Sequence, residues 1–370
     1  MDFTPLKECL DRIVSYYKSP GVDCMVYKNH QKLFRYYTGL ADIENNIPMK
    51  GNELYLIFSM TKMVTCVSAL RLMEQGLFSL DDKLSDYIPE FENMKLETGD
   101  CKKPILIRHL FSMSAGFDYN ISAPYIERTI KMGKTSTLDI VKSLSETPLS
   151  FEPGTNYKYS LCHDILGGLI EVITGKKLSV YMKENIFEPL KMKETFFGLT
   201  KDKDKLSRMP ARYQYNENRI PVRQELFCPY NLTEEYESGG AGLCSTVCDY
   251  APFLDALASG GVTKDGYRLL KEETVNLIKT NQLCDEGLKS FQTKVKTKGY
   301  GYGLGVRTHI NSKESGSLSP LYEFGWDGAA GGFSMVDTEN KLSLTFFQQI
   351  HRWDHNIQNE IRNALYLSLK

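Results

Sequence analysis

The chain has 370 residues, enough to bury a large core in one big domain or two interleaved ones. A formal net charge of -1 offers no strong field to nucleic acid or an anionic membrane surface, and 25% charged with 42% hydrophobic residues is ordinary globular composition. No apolar run is long enough to span a bilayer, and the nine scattered cysteines read as reduced thiols rather than as a disulfide framework.

The opening residues, 1–8, carry acidic groups where an export signal would have a basic stretch and an apolar run, so a cytoplasmic location is expected. Phe3, Leu6, Leu10, Ile13, Val14 and Tyr17 recur at helical spacing and predict an amphipathic helix packed on a sheet. Residues 24–28 and 32–37 read as two strands of a hairpin around Asn29-His30-Gln31. From Met60 the apolar residues Met63, Val64, Val67, Leu70 and Met73 predict a helix that is buried on most sides, with Cys66 and Ala69 on its other faces and Gly76 as its stop. Helical segments broken by Pro and Gly follow at 80–88, 107–113, 137–144, 163–173, 178–186, 246–257 and 272–278. Strands return at 303–310, 332–336 and 342–348, and a helix over 354–369 closes the chain. The runs 201–205 and 294–298 read as solvated charged loops.

Strands at both ends with helices between predict an α+β fold: an antiparallel sheet flanked by helices, built from 1–79 plus 291–370, with 80–290 as a mostly helical inserted domain. An active site is then expected where the two parts meet.

Chemistry is concentrated in Ser59-Met60-Thr61-Lys62. Residues i and i+3 share a helix face, so Lys62 can reach the Ser59 hydroxyl. A hydroxyl is a poor nucleophile until a base takes its proton, and an ammonium that loses solvation in an apolar pocket becomes a neutral amine able to do so. The helix N-terminus favours the negative charge that develops. A second match, Ser15-Tyr16-Tyr17-Lys18, has no apolar helix after it and reads as surface. Two further segments complete a candidate acyl-transfer site. Tyr159 stands between the Pro153-Gly154 turn and the 163–173 helix, a junction from which a phenol reaches a cleft. The run from Glu323 to Gly332 holds four glycines within eight residues, which lets its backbone approach a ligand.

Together these segments resemble the serine β-lactamase and penicillin-binding-protein superfamily, in the class C β-lactamase-like branch that includes the family VIII carboxylesterases. Residues 107–116, the Phe151-Glu152-Pro153-Gly154 turn, residues 237–243 and residues 302–306 add to the resemblance, which covers nearly the whole chain. It implies the β-lactamase/transpeptidase fold, Ser59 as acylated nucleophile, Lys62 and Tyr159 as coupled base and acid, and an oxyanion hole of the Ser59 and Ala329 N–H groups. Leu161, Trp326, Asp327 and Gly328 would line the substrate site. Two departures matter. Leu161 stands where β-lactamases of this branch have Asn, and Trp326-Asp327 replaces the cation that helps hold a carboxylate. Asp327 would repel such a carboxylate if it faced the cleft. The pattern looks like the esterase members, so the expected reaction is hydrolysis of small or medium acyl esters. A β-lactamase, a D-alanyl-D-alanine carboxypeptidase-type peptidase, an acyltransferase with the same nucleophile and a non-catalytic ligand binder are the alternatives.

No cofactor, metal or nucleic acid is called for; the expected partner is a small ester or amide, and the oligomeric state is not legible. His351 and His355 lack the Glu of a zinc protease motif. Cys244 and Cys248 have no second pair, and Cys162 reads as filler. Residues 299–305 lack dinucleotide spacing, and no Gly-x-Ser-x-Gly elbow occurs.

Overall fold

A computed structural model describes residues 1–199, 201–295 and 297–370. Helix α1 (Thr4–Ser15) starts where Asp2 Oδ1 accepts the Thr4 N–H at 3.0 Å and Pro5 presets the first turn, and it buries Leu6, Cys9, Leu10 and Ile13. Strands β1 (Gly21–Lys28) and β2 (Gln31–Asp42) form the expected hairpin, with Asn29 and His30 both at positive φ as a tight two-residue turn demands. Strand β3 (Ile47–Pro48) edges β2, and β4 (Tyr55–Leu56) leads to Ser59 and α2 (Thr61–Glu74).

Strand β5 (Phe196–Phe197) and helix α3 (Cys162–Thr174) lie in the middle of the chain. Strand β6 (Leu243–Ser245) and α4 (Val247–Ala258) follow. The last part supplies β7 (Tyr300–Tyr302), β8 (Arg307–His309), β9 (Phe324–Gly325), β10 (Phe333–Asp337), β11 (Leu342–Phe347) and α5 (Asn356–Ser368). The main sheet has eight antiparallel strands in the order β7-β8-β9-β10-β11-β1-β2-β3, so strands from the two chain ends meet at β11 and β1.

Side chains alternate across that sheet. Val22, Cys24 and Val26 of β1 join Met335, Leu344 and Phe346 under α1 and α5, where Ile357, Ile361 and Leu365 complete one apolar layer. Met25, Val336 and Phe347 face the opposite layer, which α4 covers and which continues into α2, α3 and the helices of 107–190.

The 80–88 helix is corrected. Two short 3₁₀ turns, Leu84–Asp86 and Pro89–Phe91, stand there. Pro89 disfavours helical geometry at Ile88, and Asp82 spends its carboxylate on the Ser79 N–H instead of on a continuing helix. The 303–310 strand is also shorter than expected, because Gly303 to Val306 form a turn and pairing resumes only at Arg307. The 201–205 run enters a short exposed helix, Lys203–Ser207, while in 294–298 Lys296 lies outside the described residues.

Ile361 is fully buried in the layer between α5 and the sheet. Ile361→Ala should lower the unfolding free energy by about 2–4 kcal/mol in a urea titration. A loss below about 1 kcal/mol would mean that this layer is not close-packed.

Candidate active site

Strand β4 delivers Ser59, the candidate nucleophile. The Ile57 N–H donates to Leu243 O at 3.1 Å, and the Leu243 N–H donates to Thr61 Oγ1 at 3.1 Å, so β6 is stitched to both flanks of Ser59. Phe58 adopts φ +45, a left-handed conformation unusual for an aromatic residue, and the chain then enters the 3₁₀ turn Phe58–Met60 that carries Ser59. Tyr250 of α4 donates to Met60 O at 2.9 Å and pins this turn from beneath. Helix α2 then runs to Glu74, capped by Gln75, and stops before Gly76, where the Leu77 N–H reaches Leu72 O. Ser59 is partly exposed, whereas Lys62, one turn inside, is 0% exposed.

Tyr159 arrives by a separate route. Residues 154–161 pair with residues 113–118: the Gly154 N–H donates to Ser114 O, Lys158 N–H to Met113 O and Leu161 N–H to Asp118 O. This pairing lays Tyr119 flat on Tyr159, with ring centroids 5.2 Å apart and planes within 6°. The Tyr159 hydroxyl donates to Ser59 Oγ at 2.5 Å. Trp326, following β9, also stacks on Tyr159 at 5.9 Å and meets Tyr302 edge-on at 5.1 Å.

Lys62 Nζ contacts three oxygens: Gly240 O at 2.7 Å, Ser59 Oγ at 3.1 Å and Tyr119 Oη at 3.3 Å. Burial pulls its pKa down to about 8, partly opposed by the negative charge of Asp164. A neutral amine has two N–H bonds and one lone pair. With Gly240 O and Tyr119 Oη taking the two hydrogens, the lone pair is left for the Ser59 hydroxyl. Tyr159 behaves oppositely: burial pushes its phenol well above the ordinary value, although its hydrogen bonds to Ser59 and Trp326 pull the other way. As pH rises, Lys62 therefore loses its proton before Tyr159 does. The neighbouring His163 is buried and faces the Lys62 charge, which brings it down to about 3 and keeps it neutral.

The other expected positions divide. A Cβ on Gly328 would lie 2.5 Å from Ile57 O, so only glycine lets the 328–331 turn press against the segment before Ser59; Ala329 is exposed on that turn. Asp327 bridges to Phe333 in the ladder, and strand alternation turns it away from Trp326. Burial raises its pKa, opposed by the charges of Arg307 and Arg362 and by Gln358 beside it. Leu161 is buried in the main apolar core at the start of α3. His351 stands edge-on to Phe58 and His355 packs at a tilt against Trp353, so the two have different partners. Cys244 donates to Gly198 O, whereas Cys248 is exposed.

Sequence reasoning missed Tyr119, Tyr230 and Asp164, and gave Gly240 no contact with Lys62. Tyr230 meets Tyr119 edge-on at 6.0 Å and Phe58 at 6.2 Å, closing an aromatic wall beside Ser59. Tyr119 follows the quoted 107–116 segment by three residues, which is the one signal that pointed toward it.

The beta-lactamase family model matches residues 6–367. The chain belongs to the beta-lactamase family of serine hydrolases. Protein Rv1367c of Mycobacterium tuberculosis is 28% identical over 346 residues, covering 89% of this chain and 85% of that one. Esterase EstB of Burkholderia gladioli is 27% identical over 266 residues, 64% of this chain and 65% of the esterase. The solved structure of EstCE1, described as a hydrolase with promiscuous acyltransferase activity, superposes with a TM-score of 0.83 at 22% identity over 98% of this chain and 97% of its own. The beta-lactamase fold is thus shared across the full length. Among the described residues no helix is long and apolar enough to cross a membrane.

If the neutral Lys62 amine activates Ser59, labelling by a fluorophosphonate probe should rise with pH through about 8 and fall about tenfold per pH unit below it. A flat rate between pH 6 and pH 9, taken as about three units, would contradict this. Gly328→Ala should slow labelling at least about tenfold, because its methyl would push the 328–331 turn off Ile57 O; an unchanged rate would show that the turn's position is immaterial.

Proposed function

We propose that the chain is a carboxylesterase on small or medium neutral acyl esters, working through an acyl-enzyme on Ser59. The observation that carries this reading is the placement of Ser59 Oγ 3.1 Å from Lys62 Nζ and 2.5 Å from the Tyr159 hydroxyl. Lys62 takes the Ser59 proton as Oγ attacks the ester carbonyl. The Ser59 and Ala329 N–H groups hold the oxyanion. Tyr159 gives its proton to the departing alkoxide and is reprotonated from the Lys62 ammonium. Water then attacks the acyl group, the Lys62–Tyr159 pair accepts its proton, and Ser59 leaves with a proton restored.

Preference for a neutral ester is supported by what surrounds the nucleophile. Tyr119, Tyr159 and Tyr230, backed by the buried Phe58 and Trp326, make an aromatic wall suited to apolar acyl groups. Trp326 occupies the place where β-lactamases of this branch carry a lysine, and strand alternation turns the Asp327 carboxylate away from Trp326. A carboxylate-bearing β-lactam or D-alanyl peptide has no counter-charge in this pair. The name of esterase EstB agrees with this reading. Acyl transfer to an alcohol is the second reading, favoured by the activity described for EstCE1, since water and an alcohol compete for one acyl-enzyme.

The purified protein should hydrolyse p-nitrophenyl acetate and butyrate, and Ser59→Ala should abolish this. Lys62→Ala and Tyr159→Phe should each lower kcat about a hundredfold. Rapid turnover of a chromogenic cephalosporin with negligible ester cleavage would reverse the assignment. Ester product accumulating in place of acid on addition of an alcohol would favour the transferase.

A further inference from the structure

Asp164 lies in the first turn of α3 and is 1% exposed. Its Oδ1 accepts hydrogen bonds from Ser238 Oγ at 2.6 Å, Tyr236 Oη at 2.7 Å and the Gly240 N–H at 3.3 Å. Ser238 Oγ in turn accepts the Ala241 N–H at 3.0 Å, and Thr65 Oγ1 donates to Gly239 O at 2.7 Å. The 238–241 loop is therefore held from α3 on one side and α2 on the other, with the Gly240 carbonyl directed at Lys62 Nζ.

The second carboxylate oxygen makes no hydrogen bond among the described residues, although it is buried. An ionised oxygen without a donor is costly unless positive charge lies nearby. A Cβ on Gly240 would sit 2.4 Å from Asp164 Oδ2 and 3.4 Å from Lys62 Nζ. Carboxylate and amine thus face each other across the space that a side chain at 240 would fill.

We propose that Asp164 is a positioning residue for Lys62: it fixes the Gly240 carbonyl that orients the amine, and its charge stabilises the ammonium formed when Ser59 gives up its proton. This rests on Lys62 being the base. The other groups acting on Lys62 are Cys66 on α2, Cys162 at the start of α3, Asp327 after β9, the neutral His163, and the phenols of Tyr119 and Tyr159. Both thiols and the Asp327 carboxyl are pushed up by burial, and Asp164 is the negative charge that acts most strongly on Lys62.

The sign follows from the active form. Neutral Lys62 is the base, so activity is lost on the acid side of its titration, and removing the Asp164 charge lets the amine deprotonate at lower pH. In Asp164→Asn, the acid limb of Ser59 phosphonylation and of kcat/KM for p-nitrophenyl butyrate should move down by about one pH unit. The high-pH plateau should fall about tenfold as the Gly240 carbonyl loses its anchor. Ser238→Ala keeps the carboxylate and loosens the loop; it should lower the plateau and leave the limb in place. An unmoved limb in Asp164→Asn of unaltered circular dichroism and Tm would overturn the proposal. Should that variant not fold, an unchanged plateau in Ser238→Ala would overturn it instead. Lys62→Ala that still phosphonylates Ser59 at full rate would remove the base assignment itself, whereas an inactive Lys62→Ala beside an unmoved Asp164→Asn limb would remove only the role of Asp164.

Discussion

A lysine amine stripped of water beneath a serine is the constraint around which the rest of this structure is arranged. Burial alone would favour the neutral form of Lys62, but an amine without hydrogen-bond partners would rotate freely and present its lone pair nowhere in particular. Gly240 O and Tyr119 Oη remove that freedom by taking two of its hydrogens. Because Nζ makes three polar contacts, it is satisfied both as an amine and as an ammonium, and the proton moves without leaving an orphaned donor.

Each part of the fold contributes a wall to this arrangement. The sheet holds Trp326 at the end of β9 and presses the glycine-rich turn against Ile57. The small sheet of β4, β6 and β5 fixes the approach to Ser59, and its central strand β6 begins just after the Gly240 loop. Helix α3 starts at Cys162, shortly after Tyr159, and brings Asp164 against the same loop. Ser59 and Lys62 therefore come from one stretch and the Tyr159 phenol from another, each held by main-chain hydrogen bonds rather than by surface side chains. Such anchoring keeps reacting groups within the few tenths of an ångström that acid–base catalysis requires.

What was legible in the sequence was local. The three-residue offset of Ser59 and Lys62 is a property of one helix, and the apolar residues after Met60 announce its burial. The hairpin at Asn29-His30 is likewise a short-range signal, carried by residues that tolerate positive φ. Tyr159 gained meaning only through the ordered motifs around it. Tyr119, Asp164 and Tyr230 stayed silent because long-range pairing, not periodicity, brings them to Ser59: the 113–118 and 154–161 backbones must meet before two phenols can stack. The helix expected at 80–88 failed for a reason visible in hindsight, since Pro89 dictates extended geometry just before it. Asp327 shows the value of strand alternation. Its adjacency to Trp326 suggested a shared cleft, but a period of two sends neighbouring side chains to opposite faces.

The most direct test of the account is a titration of the Lys62 amine itself, by NMR of lysine labelled with carbon-13 at Cε, assigned with Lys62→Arg. A midpoint near 8, set apart from the surface lysines, is what the buried and hydrogen-bonded amine predicts. A midpoint near the ordinary lysine value of 10.5 would mean that Lys62 stays charged while Ser59 reacts, and it would remove the base on which the site depends.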